Sequence, residues 1–169
     1  METLLEDLAV TGGEAGVLLK QRGHSVAVVD GATGGLISAG LLAMPGASAF
    51  YLGGGIIYTL KGRRILLDHP PASLRGMVSA TEGYALAQAE LIRARFGADW
   101  GVAETGAAGG GTAHPLGVAP GTSAVAVAGP GGIAAARLVQ TGSNDRLANM
   151  QAFAAAALTL LRDTLAAQS

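Results

Sequence analysis

Apolar positions at helical spacing open the chain. Leu4, Leu5, Leu8, Val17 and Leu18 line one face of a helix over residues 2–22, and Gly23 follows as a stop. Gly12, Gly13 and Gly16 fall inside it. Each costs up to about 1 kcal/mol against Ala in an exposed helix, so they predict either close helix packing or a break near Gly12. The pattern changes at His24–Asp30, a short, nearly continuous apolar run rich in valine. That length and branching predict a buried strand. Leu36–Met44 reads as a helix, Pro45–Ser48 as a turn, and Phe50–Thr59 as a strand slackened by Gly53, Gly54 and Gly55. Gly62–Leu67 predicts a short helix closed by His69, Pro70 and Pro71.

In the second half, Ser79–Phe96 carries the strongest helix signal. Ser79 and Glu82 form a capping-box pattern, and Gly97 stops the helix. Trp100–Glu104 predicts a short strand and Thr105–Thr112 a glycine-rich loop. Thr122–Ala128 and Ile133–Gln140 flank a Gly-Pro-Gly-Gly turn and predict a hairpin. Ser143 then caps an Ala-rich helix running to about Ala167. Strands alternate with helices first, and a hairpin follows. That order predicts one domain over residues 1–169, of class α/β, with three layers (α/β/α) around a mixed, mostly parallel sheet.

Composition narrows the function classes. Only 14% of residues are charged and 27 are glycine, which favours tight packing and a subunit interface, so a homodimer or higher homo-oligomer is expected. The net charge of −1 comes without a basic tail or an aromatic ladder, which argues against a nucleic-acid partner. The absence of cysteine removes disulfides, thiol catalysis and thiolate metal sites. No apolar run of about 18 residues and no leader-like start is present, so a cytoplasmic protein without a membrane partner is expected. His24, His69 and His114 lack metal-ligand spacing and read as surface or turn residues, so no metal is expected.

Two strand-to-loop junctions are candidates for chemistry. The first is Asp30-Gly31-Ala32-Thr33-Gly34-Gly35; the second is Glu104-Thr105-Gly106 with Gly109-Gly110-Gly111-Thr112. Ligands of α/β sheets bind beyond the carboxyl ends of strands, and glycine lets backbone N–H groups approach an anion. Thr33 either caps the next helix or touches a phosphate. Turn chemistry alone also explains such glycine clusters.

The order of segments says more. Ala32–Gly35 (ATGG), Pro45–Ser48 (PGAS), Tyr51–Gly54 (YLGG), Ile56–Tyr58 (IIY), Met77–Ser79 (MVS) and Thr105–Gly111 (TGAAGGG) follow one another at a spacing that resembles the CinA C-terminal domain family. The resemblance runs from about His24 to the last helix. It implies an amidohydrolase that converts nicotinamide mononucleotide to nicotinate mononucleotide and ammonia, with no metal or organic cofactor. In that family a Ser attacks the amide carbon, a Lys is its base, and backbone N–H groups hold the oxyanion. Many members carry an additional N-terminal domain, which is not expected within these 169 residues.

The departures fall on the reacting groups. The family motif reads Glu-Ser-Cys-Thr-Gly-Gly, and its nucleophile position is here Gly31. The family Lys lies five residues after the strand Tyr, which places it at Arg63. Lys61 would need a two-residue gap, whereas Leu66–Pro70 matches the family's Leu-Leu-Gly-Val-Pro without one. Glycine has no side chain with which to attack, and Arg stays protonated and cannot act as a base. The loop also lacks the family's Pro after Thr-Gly-x-Ala-Gly, and an extra stretch near His114–Pro120 follows it.

The remaining candidates each have a plain structural alternative. Glu104, where the family usually has an apolar residue, reads as a solvated strand end or as a new catalytic carboxylate. Asp30 caps the next turn, holds a ribose hydroxyl, or pairs with Arg63. Together the two carboxylates suit acid–base work if about 5–9 Å apart. Tyr58 stacks on a base or packs in the core. Arg63, with Lys61 and Arg64, binds a phosphate or forms an exposed basic edge. Thr59 has a hydroxyl but no matched base. Asp145 suits the helix dipole at the start of the last helix, and the resemblance makes Arg146 a site candidate. The run Ala152–Ala157 reads as core or interface.

Three functions follow. The first is a non-catalytic relative binding a nucleotide or phosphorylated ligand through Gly31, Thr33, Gly34, Gly35, Tyr58, Arg63, Thr105, Gly106, Gly109 and Arg146. The second is a hydrolase with changed chemistry using Asp30 or Glu104. The third is a structural or partner-binding subunit.

Overall fold

The computed structural model describes residues 4–67 and 77–168; His69, Pro70 and Pro71 lie outside them. Helix α1 (Leu4–Arg22) leads to strand β1 (Val26–Asp30), helix α2 (Leu36–Leu42) and strand β2 (Tyr51–Ile56). Helices α3 (Leu60–Leu67) and α4 (Glu82–Phe96) precede β3 (Trp100–Ala107), β4 (Thr122–Ala128) and β5 (Ala134–Gln140), and α5 (Arg146–Ala166) ends the fold. The sheet order is β2-β1-β3-β4-β5. Its centre is parallel, β1 pairing with both β2 and β3, and β4 and β5 continue it antiparallel. The fold is three-layered α/β/α around a mixed sheet.

Alternation along the strands explains the layers. Val26, Val28, Val102, Val125 and Val127 face one side and pack with Leu8 and Leu19 of α1, Ile37 and Leu41 of α2, and Leu158 and Leu161 of α5. Ala27, Val29, Ala103, Ala124 and Ala126 face the other side and pack with Ala85, Ala89 and Ile92 of α4. The second face is built of small residues, so α4 lies close to the sheet: a Cβ on Gly101 would stand 2.1 Å from the Ala89 carbonyl oxygen. The same holds between α1 and α2, where a Cβ on Gly12 would stand 2.2 Å from the Gly40 oxygen. Gly12 and Gly16 of α1 therefore mark close packing, and the helix does not break.

Three sequence expectations change. The helix expected from Ser79 starts at Glu82, and its cap is Thr81, whose side chain accepts from the Tyr84 N–H. Ala80 sits at φ 58, outside helical backbone, with its N–H donated to Thr105 Oγ1 at 3.1 Å. The last helix is capped by Asp145, which accepts from the Ala148 N–H, and Ser143 instead accepts from the Asp145 N–H. Strand β3 runs on through Thr105, Gly106 and Ala107 because β4 pairs with it as far as Thr122, so the glycine-rich loop begins later than its composition suggests. No helix among the described residues is long and apolar enough to cross a membrane.

Candidate functional site

The parallel strands β1 and β3 end side by side, Val29 opposite Ala103, so Asp30 and Glu104 follow on adjacent strands. Both are buried, at 1% and 0% exposure. The solvated strand end expected for Glu104 is therefore corrected: β1, β4 and the loop after β1 enclose it. Asp30 accepts four hydrogen bonds, from Thr33 Oγ1 (2.7 Å), the Ile37 N–H (2.9 Å), the Ser38 N–H (3.2 Å) and Ser38 Oγ (2.8 Å). It thus caps α2, the first of the roles its position suggests, and Arg63 pairs elsewhere. Glu104 accepts from the Thr33 N–H at 3.1 Å and from Ser123 Oγ at 2.9 Å. Burial pushes its carboxyl up to about 7, against the pull of those hydrogen bonds. Thr33 joins the two carboxylates, donating its hydroxyl to one and its amide to the other.

Beyond these strand ends lies a cleft of about 800 Å³, a volume typical of small-molecule sites. Gly31, Ala32, Thr105, Gly106 and Gly109 form its floor at the strand ends, and Tyr58, Thr59, Arg63 and Arg146 line it as well, with Arg146 touching Tyr58. Thr33 is fully buried behind that floor, and Gly34 and Gly35 turn toward Met150 and Ile56 rather than toward the cleft. Asp30 and Glu104 do not line it either. Among the described lining residues there are two guanidinium groups and no carboxylate.

Tyr58 is 65% exposed, which settles its alternative against the core. Its hydroxyl accepts from Arg146 Nη2 at 2.9 Å, and Arg146 Nη1 donates to the Gly109 carbonyl at 2.9 Å. Arg63 donates to the Tyr84 hydroxyl and lies 5.5 Å from the centre of that ring, a cation–π distance. Its Nε is buried without a partner, as is Gln88 Oε1. Lys61 is exposed and does not line the cleft. His24 accepts from Trp100 Nε1 at 3.0 Å and so satisfies a buried indole rather than standing free at the surface. Among the described residues no group of three or more His, Asp or Glu side chains could hold a metal ion.

Sequence reasoning missed Tyr84 and Gln88. They sit four apart on one face of α4, a spacing that was visible, but only the docking of α4 on β3 and β4 brings them to the cleft. It also missed how much wall the stretch after Gly109 supplies: His114, Pro115, Leu116, Val118 and Pro120 all line the cleft.

The sequence profile of the CinA C-terminal domain matches residues 11–165. A CinA-like protein of Parasynechococcus marenigrum is 37% identical over 155 residues, covering 90% of this chain and 36% of its own length. Another, from Anaeromyxobacter sp. strain K, is 39% identical over 147 residues, covering 85% of this chain and 35% of its own. The chain thus spans about a third of the length of these two relatives. Among solved structures, a competence/damage inducible protein from Agrobacterium tumefaciens superposes with a TM-score of 0.85 at 24% identity, covering 97% of this chain and 99% of its own. A competence damage-inducible protein A from Klebsiella pneumoniae gives 0.85 at 23%, covering 96% and 99%. The fold, a profile match over most of its length and relatives 37% and 39% identical agree, and the chain belongs to the CinA C-terminal domain family.

Proposed function

We propose that this domain binds a nucleotide or another small phosphorylated ligand in the cleft and does not run the Ser–Lys amide hydrolysis that its family resemblance implies. The observation that carries the reading is the lining. Arg63 and Arg146 stand on one cleft without a carboxylate among the described residues to neutralise them, and guanidinium is the side chain best matched to phosphate oxygens. The missing chemistry supports the second half. Gly31 has no nucleophile, and its backbone leaves no room for one: a Cβ there would stand 2.4 Å from the Glu104 carbonyl oxygen. Arg63 is positively charged at any working pH and cannot take a proton from an attacking group.

A hydrolase driven by Asp30 or Glu104 has less support. All four contacts of Asp30 serve the α2 turn, and neither carboxylate lines the cleft. A purely structural role has less support as well, because the cleft is open and Arg63 lines it.

The test is thermal unfolding with nicotinamide mononucleotide while ammonia release is followed in the same sample. A ligand at about 100 times its Kd adds about 2.7 kcal/mol, a readily seen shift in Tm. The expected result is a shift without ammonia. Ammonia at an enzymatic rate would refute the binding-only reading. The absence of both signals would remove the nucleotide from the reading.

A further inference from the structure

Glu104 has no part in the ligand contacts just described, yet it is the most deeply placed charged side chain near the cleft. Its two oxygens are committed. Oε2 receives the Thr33 amide at 3.1 Å, and Oε1 lies 2.9 Å from Ser123 Oγ. Ser123 Oγ also lies 3.1 Å from the Thr105 carbonyl oxygen. A serine hydroxyl has one proton to give. With Glu104 ionised, that proton serves either the carboxylate or the Thr105 carbonyl, and one contact is lost or weakened. With a proton on Glu104 Oε1, the carboxylic acid donates to Ser123 Oγ, Ser123 donates to the Thr105 oxygen, and every contact is satisfied at once.

The surroundings favour the same state. Asp30 on β1 is the charged group whose field reaches Glu104, and it has the same sign. Strand β4 presents the neutral Ser123, and the loop after β1 presents the neutral Thr33. Helix α5 packs across β3 and β4, and the one polar side chain it buries is Asn149. Among the described residues no cation acts on Glu104 to offset a second negative charge.

We infer that Glu104 is a positioning acid that keeps its proton and ties the two floors of the cleft together, Gly31–Ala32 through Thr33 and Thr105–Gly106 through Ser123, so that its ionisation loosens ligand binding. Loss of the proton sets two carboxylates on either side of Thr33 and withdraws the Ser123 hydroxyl from the Thr105 carbonyl. Both floors shift as a consequence, although neither carboxylate touches the ligand. The binding part of this inference rests on the reading of the cleft as a ligand site; the protonation part does not.

Two measurements separate the parts. The carboxyl carbon-13 signal of Glu104 in the intact protein is followed from about pH 4 to about pH 9 by NMR, with no ligand present. It is expected to titrate close to neutrality, the direction that burial dictates. Titration in the ordinary glutamate range, near 4.5, overturns the inference outright. Affinity for nicotinamide mononucleotide is then compared at about pH 6 and about pH 8.5 in the wild type and in Glu104→Gln, whose amide can donate to Ser123 and accept from Thr33 at both values. The wild type is expected to weaken at least about fivefold relative to the variant as pH rises. The ligand phosphate's own ionisation near pH 6 is common to both proteins and cancels. An equal pH response in the two proteins overturns the coupling to the cleft. A neutral-range titration with no binding by either protein instead removes the nucleotide reading and with it the coupling.

Discussion

Residue by residue, the function proposed for this domain turns on positions 31, 63 and 104. On that proposal Gly31 offers no nucleophile and Arg63 no base, and Glu104 stands behind Gly31, its Oε2 3.2 Å from where a Cβ on that glycine would lie. Glu104 carries a measurable consequence for stability. Its folded-state affinity for a proton is raised by burial to about 7 from an unfolded value of 4.5. Between those two values the folded chain holds a proton that the unfolded chain has released. Stability therefore falls as pH rises through that window and levels off above it. The Glu104→Gln variant has no such proton. Urea denaturation across the window should show the stability of the wild type declining relative to the variant; a constant difference between the two would contradict the assignment. The residue types at 31 and 63 were legible in the sequence because what glycine and arginine can do is read from side-chain chemistry alone. The burial of Glu104 was not, since a carboxylate at a strand end is solvated in most settings, and only the neighbouring β1 and β4 close over it.

At the scale of elements, helix starts were the weakest part of the sequence reading. Ser79 with Glu82 has the spacing of a capping box, yet the chain enters α4 at Thr81. The reason is tertiary. The Ala80 N–H is held by Thr105 Oγ1 on β3, at a left-handed backbone angle that costs about 1–2 kcal/mol for a residue with a Cβ. The turn is thus bound to the cleft floor before the helix begins. Thr81→Ala should cost about 1 kcal/mol through the lost cap, and Ser79→Ala should cost less, as chemical denaturation of the two variants would show. The reverse order would restore Ser79 as the cap. Element type was much easier to read than element boundary. The continuous run Val26–Val29 is buried on both faces because α1, α2 and α5 cover one side of the sheet and α4 the other, and alternation in β4 sends valines to one layer and alanines to the other.

For the whole molecule, some of the glycines permit close approach between layers, as at Gly12, Gly40 and Gly101, and others serve turns with positive φ. Gly12 and Gly13 are neighbours in α1 and make a clean contrast. A Cβ on Gly12 would meet the α2 backbone, whereas a Cβ on Gly13 would meet nothing within 4 Å. Gly12→Ala should destabilise by about 1–3 kcal/mol through overpacking. Gly13→Ala should stabilise by up to about 1 kcal/mol through helix propensity. Opposite signs in thermal unfolding check the packing of α1 on α2; a gain from both would mean that the two helices do not touch there. The same closeness sets the cleft, since α4 lies near enough to β3 for Tyr84 and Gln88 to reach the strand ends.

By itself the sequence determined the order and kind of the elements, the three-layer class and the side-chain chemistry available at positions 31 and 63. Each of these follows from local periodicity or from what a single side chain can do. Tertiary structure alone decided which residues share the cleft. Thr33 and Glu104, adjacent to cleft residues in sequence, turn behind the floor, while Tyr84, Gln88 and the stretch from His114 to Pro120 come to it from distant elements. A strand end points its side chains alternately to opposite faces, so neighbours in sequence part company there. Whether a carboxylate on it meets water, a ligand or another carboxylate depends on what the adjacent strands and loops place above it.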